Sequence, residues 1–365
     1  MVDKKISVIG LGLIGGSIVK ALKEQMNITN IAAVDNNTES LNQALEEGYI
    51  VKGFSKLDEY IFDSDIIFIC TPVSITISYI KELKDNVKDN CIITDTSSTK
   101  GRIIDYVNSL DNPPCFIGGH PMTGTEKTGF KSSYAHLFEN AYYILSHTKS
   151  SADSHMDTLC KIIKGIGAIP LILDAQLHDE ITATISHVPH VIASALVNLV
   201  KNSDSEDKKM QTLAAGGFKD ITRIASSSPQ MWENIVLSNS EKIKKTISDF
   251  IETLKSFMEY IDTNDSKSIY NFFESAKAYR DSFSDNQKGL IQPLHELVVD
   301  VVDKPGIIGD IATLLGQNGI NIKNINVSNS REFEQGCLRI TLPDSDSVDI
   351  SYNLLTDKGY KVFKI

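Results

Sequence analysis

One imidazole, His120, stands between Gly119 and Pro121 in the stretch GGHPMTGTEKTGF, residues 118–130. The stretch has neither helical nor strand period, and its small residues offer a ring little core to fill. A neutral imidazole in such a loop can accept a proton or a hydrogen bond from a substrate hydroxyl. A second group is the hydroxyl-rich run DTSSTKG, Asp95 to Gly101, where Ser97 and Ser98 are suited either to cap a following helix or to meet a ligand. The segment GGFKDITRIASSSPQMW places Lys219, Asp220 and Arg223 near an expected helix start. An arginine there can grip a carboxylate with two parallel hydrogen bonds, or pair with Asp220 at the surface. His187 and His190 are three residues apart and can share a helix face. Without a nearby third ligand, metal is the weaker reading of that pair. Trp232 is the only tryptophan, which on residue type alone is a core or interface anchor.

The hydride acceptor is written at the N-terminus. Gly10-Leu11-Gly12-Leu13-Ile14-Gly15 matches G-x-G-x-x-G, directly after an apolar β-branched run and at the opening of a helical pattern. Gly10 permits the tight turn, Gly12 lets the backbone approach a pyrophosphate, and Gly15 lets helix and strand pack closely. The first-turn N–H groups, including those of Leu13 and Ile14, face the phosphates. Asp35 ends the next strand; an acid there accepts hydrogen bonds from ribose hydroxyls and repels a 2'-phosphate, so NAD is expected rather than NADP. The loop Cys70-Thr71-Pro72-Val73 ends a further strand at the carboxyl edge, where such sheets bind ligands.

The elements that must hold these residues fall into three textures. Residues 1–170 alternate short strands (ISVIG, IAAVD, DIIFIC, CIITD, CFIGG, AYYIL) with helical stretches, which predicts an α/β, Rossmann-type doubly wound sheet. Residues 171–288 carry apolar residues at three- and four-residue spacing and predict an all-helical domain, with a solvated loop around 202–209. After a linker, residues 296–365 read βαββαβ, a ferredoxin-like module.

Composition narrows the class. The chain has 365 residues, enough for two or three domains, and a net charge of −11, which disfavours nucleic acid and anionic membranes as partners. No apolar run is expected to span a bilayer. The lysines before the first apolar run resemble a signal peptide, but the glycine spacing and the lack of a cleavage site fit a folded strand and helix. Five scattered cysteines without a C-x-x-C pair fit reduced thiols, a cytoplasmic location and no metal site.

In order, GLGLIGGS, DTSSTKG, GGHPMTGTEKTG, SHVPH and FKDITRIASSSPQMW resemble the prephenate dehydrogenase (TyrA) family over about residues 5–285. DKPGIIGDIATLLGQNGINI resembles the first strand, turn and helix of an ACT domain, a small-molecule sensor. No chorismate mutase segment is found, so a bifunctional form is not expected. The resemblance implies NAD-dependent oxidative decarboxylation of prephenate to 4-hydroxyphenylpyruvate. It implies that His120 polarises the substrate hydroxyl and that Ser98 orients it. Arg223 would hold a substrate carboxylate and His190 would contact the pyruvyl chain, with His187 nearby. Glu126 and Trp232 would shape the pocket, the tryptophan loop coming across a homodimer or larger homo-oligomer. The ACT match implies tyrosine as effector, near Asp303 and Asn321. An arogenate dehydrogenase, or a non-catalytic sensor of NAD and an amino acid, remains an alternative reading.

Overall fold

The computed structural model describes residues 4–125, 127–285, 295–302, 304–328 and 335–364. Glu126 and Asp303 lie outside the described residues. The chain divides into two compact units, Met1–Lys255 and Ser256–Ile365.

The first unit is built on eight strands: β1 Ile6–Ile9, β2 Ile31–Val34, β3 Lys52–Phe54, β4 Ile66–Ile69, β5 Ile92–Asp95, β6 Phe116–Pro121, β7 Tyr142–Ser146 and β8 Ile169–Ile172. Their order is β3-β2-β1-β4-β5-β6-β7-β8. Pairing is parallel from β3 through to β6, antiparallel between β6 and β7, and parallel between β7 and β8. The central strands β1, β2, β4 and β5 are buried at every position, because helices cover both faces of the sheet. One core packs the helices Leu13–Met26 and Asp153–Gly165 on one side. A second packs Val73–Leu83 and Gly101–Asn108 on the other. Six of the eight strands match the sequence reading. β3 escapes it because three residues with Lys at the exposed end carry little hydrophobic period, and β8 because IPLI contains a proline and sits at the half-exposed edge.

Beyond β8 the unit turns helical. Ala175–Thr182, a π-helical turn Ala183–His187 and Val188–Ser203 run as one continuous rod. By length and composition this rod could cross a membrane, which corrects the expectation that no run is long enough. Its charged and imidazole groups break the run in the sequence, so no uninterrupted apolar stretch announces it. Here His178, Asp179 and His187 on the rod are buried in protein contacts. Gly216–Thr222, a 3-10 turn Arg223–Ser226, Pro229–Ser238 and Ser240–Asp262 follow. This region buries only a small cluster around Ala183, Val188 and Ile243, and leaves Ile185, Leu199, Ile221 and Leu237 at least 60% exposed.

In the second unit, β9 His295–Val302, the helix Ile307–Gln317, β10 Asn324–Ser328, β11 Gln335–Leu342, the helix Ser345–Asp357 and β12 Lys361–Lys364 follow one another. They form an antiparallel sheet of order β10-β11-β9-β12, the ferredoxin-like arrangement read from the sequence. Its core packs Leu297, Val299, Leu338 and Ile340 against Ile311, Leu315 and Leu355. The helix Ser266–Asp285 also belongs to this unit.

Candidate active site

The turn after β1 is shaped for close approach. Gly10 has φ +96°, and a side chain there would come within 2.5 Å of the carbonyl oxygen of Cys70. A Cβ at Gly15 would collide with the carbonyl of Gly10, whereas one at Gly12 would enter open space. The helix Leu13–Met26 has no side-chain cap and no acid in its first turn, so its N–H groups and partial positive charge are available to an anion. Asp35 is drawn onto this turn: Leu11 N donates to its Oδ2 at 2.5 Å and Asn37 N to its Oδ1 at 2.7 Å. Thr71 borders the turn from the next strand end, its hydroxyl bonded to Thr76 at 3.0 Å, and Pro72 starts the Val73–Leu83 helix. The open space at Gly12, the uncapped helix and the anchored acid fit a dinucleotide.

The hydroxyl-rich loop after β5 is held from beneath. Asp95 is buried and accepts from Gly119 N and Ser97 N, both at 3.0 Å, and from the Lys100 ammonium. Burial lowers the Lys100 pKa, opposed by the Asp95 charge. This arrangement fastens the loop to β6, which carries His120. Ser98 is half-buried, and its hydroxyl has no partner among the described residues. The buried Ser97 hydroxyl likewise lacks a hydrogen bond. Thr99 instead bonds Ser238 at 3.0 Å, tying the loop to the helical region.

His120 is the penultimate residue of β6, paired with Ile144 of β7 rather than standing in a loop as the sequence suggested, and is half-buried. Its Nδ1 lies 2.8 Å from His178 Nε2, and His178 Nδ1 lies 2.8 Å from Asp179 Oδ1. Asp179 in turn accepts from Lys100 N at 2.7 Å and Gly101 N at 2.8 Å, at the start of the Gly101–Asn108 helix. Burial, then the neighbouring His178, Lys100 and His187, hold the His120 pKa well below 6.5, so the ring is neutral at pH 7. His178 and Asp179 were missed in the sequence. Adjacent residues on a helix do not face each other by spacing, and only the fold brings His178 under the end of β6.

The remaining candidates form the other wall. His187 is buried, bonded through Nδ1 to Asn239 at 3.2 Å, and burial lowers its pKa to about 4. His187 and His190, three residues apart, both turn their rings to Trp232. His190 Nδ1 donates to Ser186 O at 2.9 Å, and its ring stacks on Trp232 at 3.9 Å. Burial lowers the His190 pKa, and the Arg223 charge lowers it further, which places the guanidinium within electrostatic reach. Trp232 thus packs on His190 of its own chain, and its indole N–H is buried with no partner among the described residues. Arg223 caps the end of the Gly216–Thr222 helix and opens the 3-10 turn Arg223–Ser226. Asn321 is exposed just ahead of β10 in the second unit.

Comparison with known proteins agrees with this architecture. Residues 18–171 match the prephenate dehydrogenase nucleotide-binding domain, 174–275 the prephenate dehydrogenase dimerization domain, and 295–338 the ACT domain. The chain is 36% identical over 339 residues to a prephenate dehydrogenase of Bacillus subtilis, spanning 92% of this chain and 91% of that one. It is 35% identical over 348 residues to one of Lactococcus lactis, spanning 94% and 95%. The crystal structure of Aquifex aeolicus prephenate dehydrogenase in complex with hydroxyphenyl propionate and NAD+ superposes with a TM-score of 0.73 at 29% identity, over 78% of this chain and 99% of that chain. With a dinucleotide turn, a neutral imidazole at the same sheet edge and relatives matched nearly end to end, the chain belongs to the prephenate dehydrogenase family.

Proposed function

We propose that the chain oxidises prephenate with NAD, releasing CO2 and 4-hydroxyphenylpyruvate. The observation that carries this reading is the neutral His120 imidazole at the end of β6, anchored through Nδ1, on a strand that Asp95 ties to the hydroxyl loop carrying Ser98. NAD supplies the hydride acceptor when bound. Leu13, Ile14 and Gly15 offer main-chain N–H groups to its phosphates, Asp35 its carboxylate to a ribose, and Thr71 and Pro72 flank it. His120 accepts the hydroxyl proton at Nε2 while Ser98 orients the same hydroxyl. Arg223 holds a carboxylate as a bidentate pair. His190 and the orphan Trp232 N–H meet the pyruvyl end, and His187 supports them through Asn239. Loss of CO2 makes the ring aromatic, so the protein's part is alignment and proton removal.

The exposed apolar residues of the helical region, Ile185, Leu199, Ile221 and Leu237 among them, support a homodimer through that region. The βαββαβ module supports control by tyrosine, with the exposed Asn321 near the effector. Domain limits at 1–170, 171–288 and 296–365 and a cytoplasmic location complete the reading. The test is NADH formation with prephenate and arogenate in parallel, with and without tyrosine. Turnover of prephenate supports the assignment; turnover of arogenate alone moves the substrate.

A further inference from the structure

We propose that His178 and Asp179 are positioning residues that fix which nitrogen of His120 carries its proton and take up the charge formed when His120 accepts another. The inference rests on the reading of His120 as proton acceptor and deepens it.

The argument is a count of donors and acceptors, begun from the group whose role is fixed. Asp179 is met by two main-chain donors, Lys100 N at 2.7 Å on Oδ1 and Gly101 N at 2.8 Å on Oδ2. A carboxylate so placed, at the start of the Gly101–Asn108 helix, is an acceptor only. His178 Nδ1, at 2.8 Å from Asp179 Oδ1, must therefore be the donor. Neutral His178 then has a bare lone pair on Nε2. That lone pair faces His120 Nδ1 at 2.8 Å, so His120 Nδ1 must carry a proton. Neutral His120 is left with a bare lone pair on Nε2, the state an acceptor of a hydroxyl proton requires. The opposite tautomer of His120 would set two lone pairs against each other in a buried contact, which costs the desolvation of both.

The same chain has a use during turnover. When His120 Nε2 takes the substrate proton, the ring becomes a cation in a buried setting with Lys100 nearby, both of which disfavour positive charge there. Moving the Nδ1 proton to His178 Nε2 leaves His120 neutral and makes His178 the cation, directly beside the Asp179 carboxylate. One proton enters at Nε2 of His120 and one passes to Nε2 of His178, so the count balances. His178 faces His120, Asp179 and His187; Lys100 faces Asp95, which offsets its charge. His178 is 1% and Asp179 4% exposed, so water does not substitute for either partner.

The experiment has two arms on the full-length chain. The first is 15N NMR of histidine-labelled protein near pH 7 without substrate, with the His120 signals assigned by loss in His120→Asn. His120 protonated on Nδ1 with a bare Nε2 is the expected result; protonation on Nε2 overturns the proposal. This arm reads the tautomer whether or not prephenate is turned over, so failure of the functional reading and failure of this inference are distinguishable. The second arm compares His178→Gln, whose amide oxygen can still accept from His120 Nδ1, with His178→Phe, which fills the same buried space without an acceptor. The Phe variant should lose about 100-fold in kcat with the prephenate KM little changed, and the Gln variant should recover most of it. Phe equal to or better than Gln would mean that His178 only packs, and would overturn the proposal.

Discussion

Lys100 and Asp95 form an ion pair with no side-chain exposure on either partner, beneath the strand end that carries His120. Asp95 also holds Ser97 N and Gly119 N, so a single carboxylate joins the hydroxyl loop to β6. Removing the cation alone leaves this carboxylate buried without its counter-charge. Lys100→Met should lower unfolding free energy by about 3 kcal/mol, at the low end for a broken buried pair because the two N–H donors remain. Urea unfolding of the variant at pH 7 checks this, and a change below about 1 kcal/mol would place the pair nearer water than its burial implies.

Gly119 is a glycine for want of space. A Cβ there would collide with the main-chain carbonyl of Asp95, and would press on Thr94 Oγ1 at 3.0 Å and Tyr143 Cε1 at 3.1 Å. Backbone cannot swing aside as a side-chain tip can. Gly119→Ala should therefore push β6 away from β5 and displace the neighbouring His120, lowering kcat by about 100-fold or more, as small misplacements of a catalytic group do. Steady-state kinetics beside a melting curve separates this from simple unfolding.

The cofactor preference hangs on Asp35, whose carboxylate is fixed on the turn by Leu11 N and Asn37 N. Asp35→Ser removes a charged acceptor for the ribose and the repulsion of a 2'-phosphate. NAD should bind about 10-fold more weakly or worse, the scale of a charge-assisted hydrogen bond, while NADP should gain. Titration of both cofactors by fluorescence or calorimetry measures the two constants directly.

Acid should weaken the fold through its buried imidazoles. Unfolded His187 titrates near 6.5, whereas burial holds it at about 4 in the fold. Between these values the unfolded chain binds more protons. Stability is therefore full above about pH 6.5 and falls as the pH drops toward 4, by about 3 kcal/mol for this side chain if the rest of the fold holds. The lowered pKa of His120 acts in the same direction. Urea midpoints between pH 7 and 5 should fall, and His187→Gln should flatten that part of the slope. The same lowering at His120 predicts that kcat/KM stays level until the pH is below 6.5.

What the sequence disclosed follows from range. The glycine turn and the strand ends are local signals, each fixed by a few adjacent residues; His120, read as standing in a loop, is instead inside β6, because pairing with β7 extends the strand through a stretch that has no strand period of its own. The ferredoxin-like module was legible as the glycine turn was, since its strand and helix periods alternate cleanly. The partners of His120 were not. His178 stands fifty-eight residues away, on a helix that the sequence presents as merely amphipathic. Asn239, which joins Asp179 O to His187, is farther still. The π turn at Ala183–His187 carries no composition that separates it from α-helix, so it needed the fold, whereas the shared face of His187 and His190 was legible from their three-residue spacing.

The most direct measurement is NADH formation from prephenate by the intact chain and by His120→Asn, with NAD binding determined for both. Turnover by the intact chain, lost by orders of magnitude in the variant while NAD binds as before, is the predicted result. Turnover unchanged in the variant would remove His120 as proton acceptor and contradict the account at its centre.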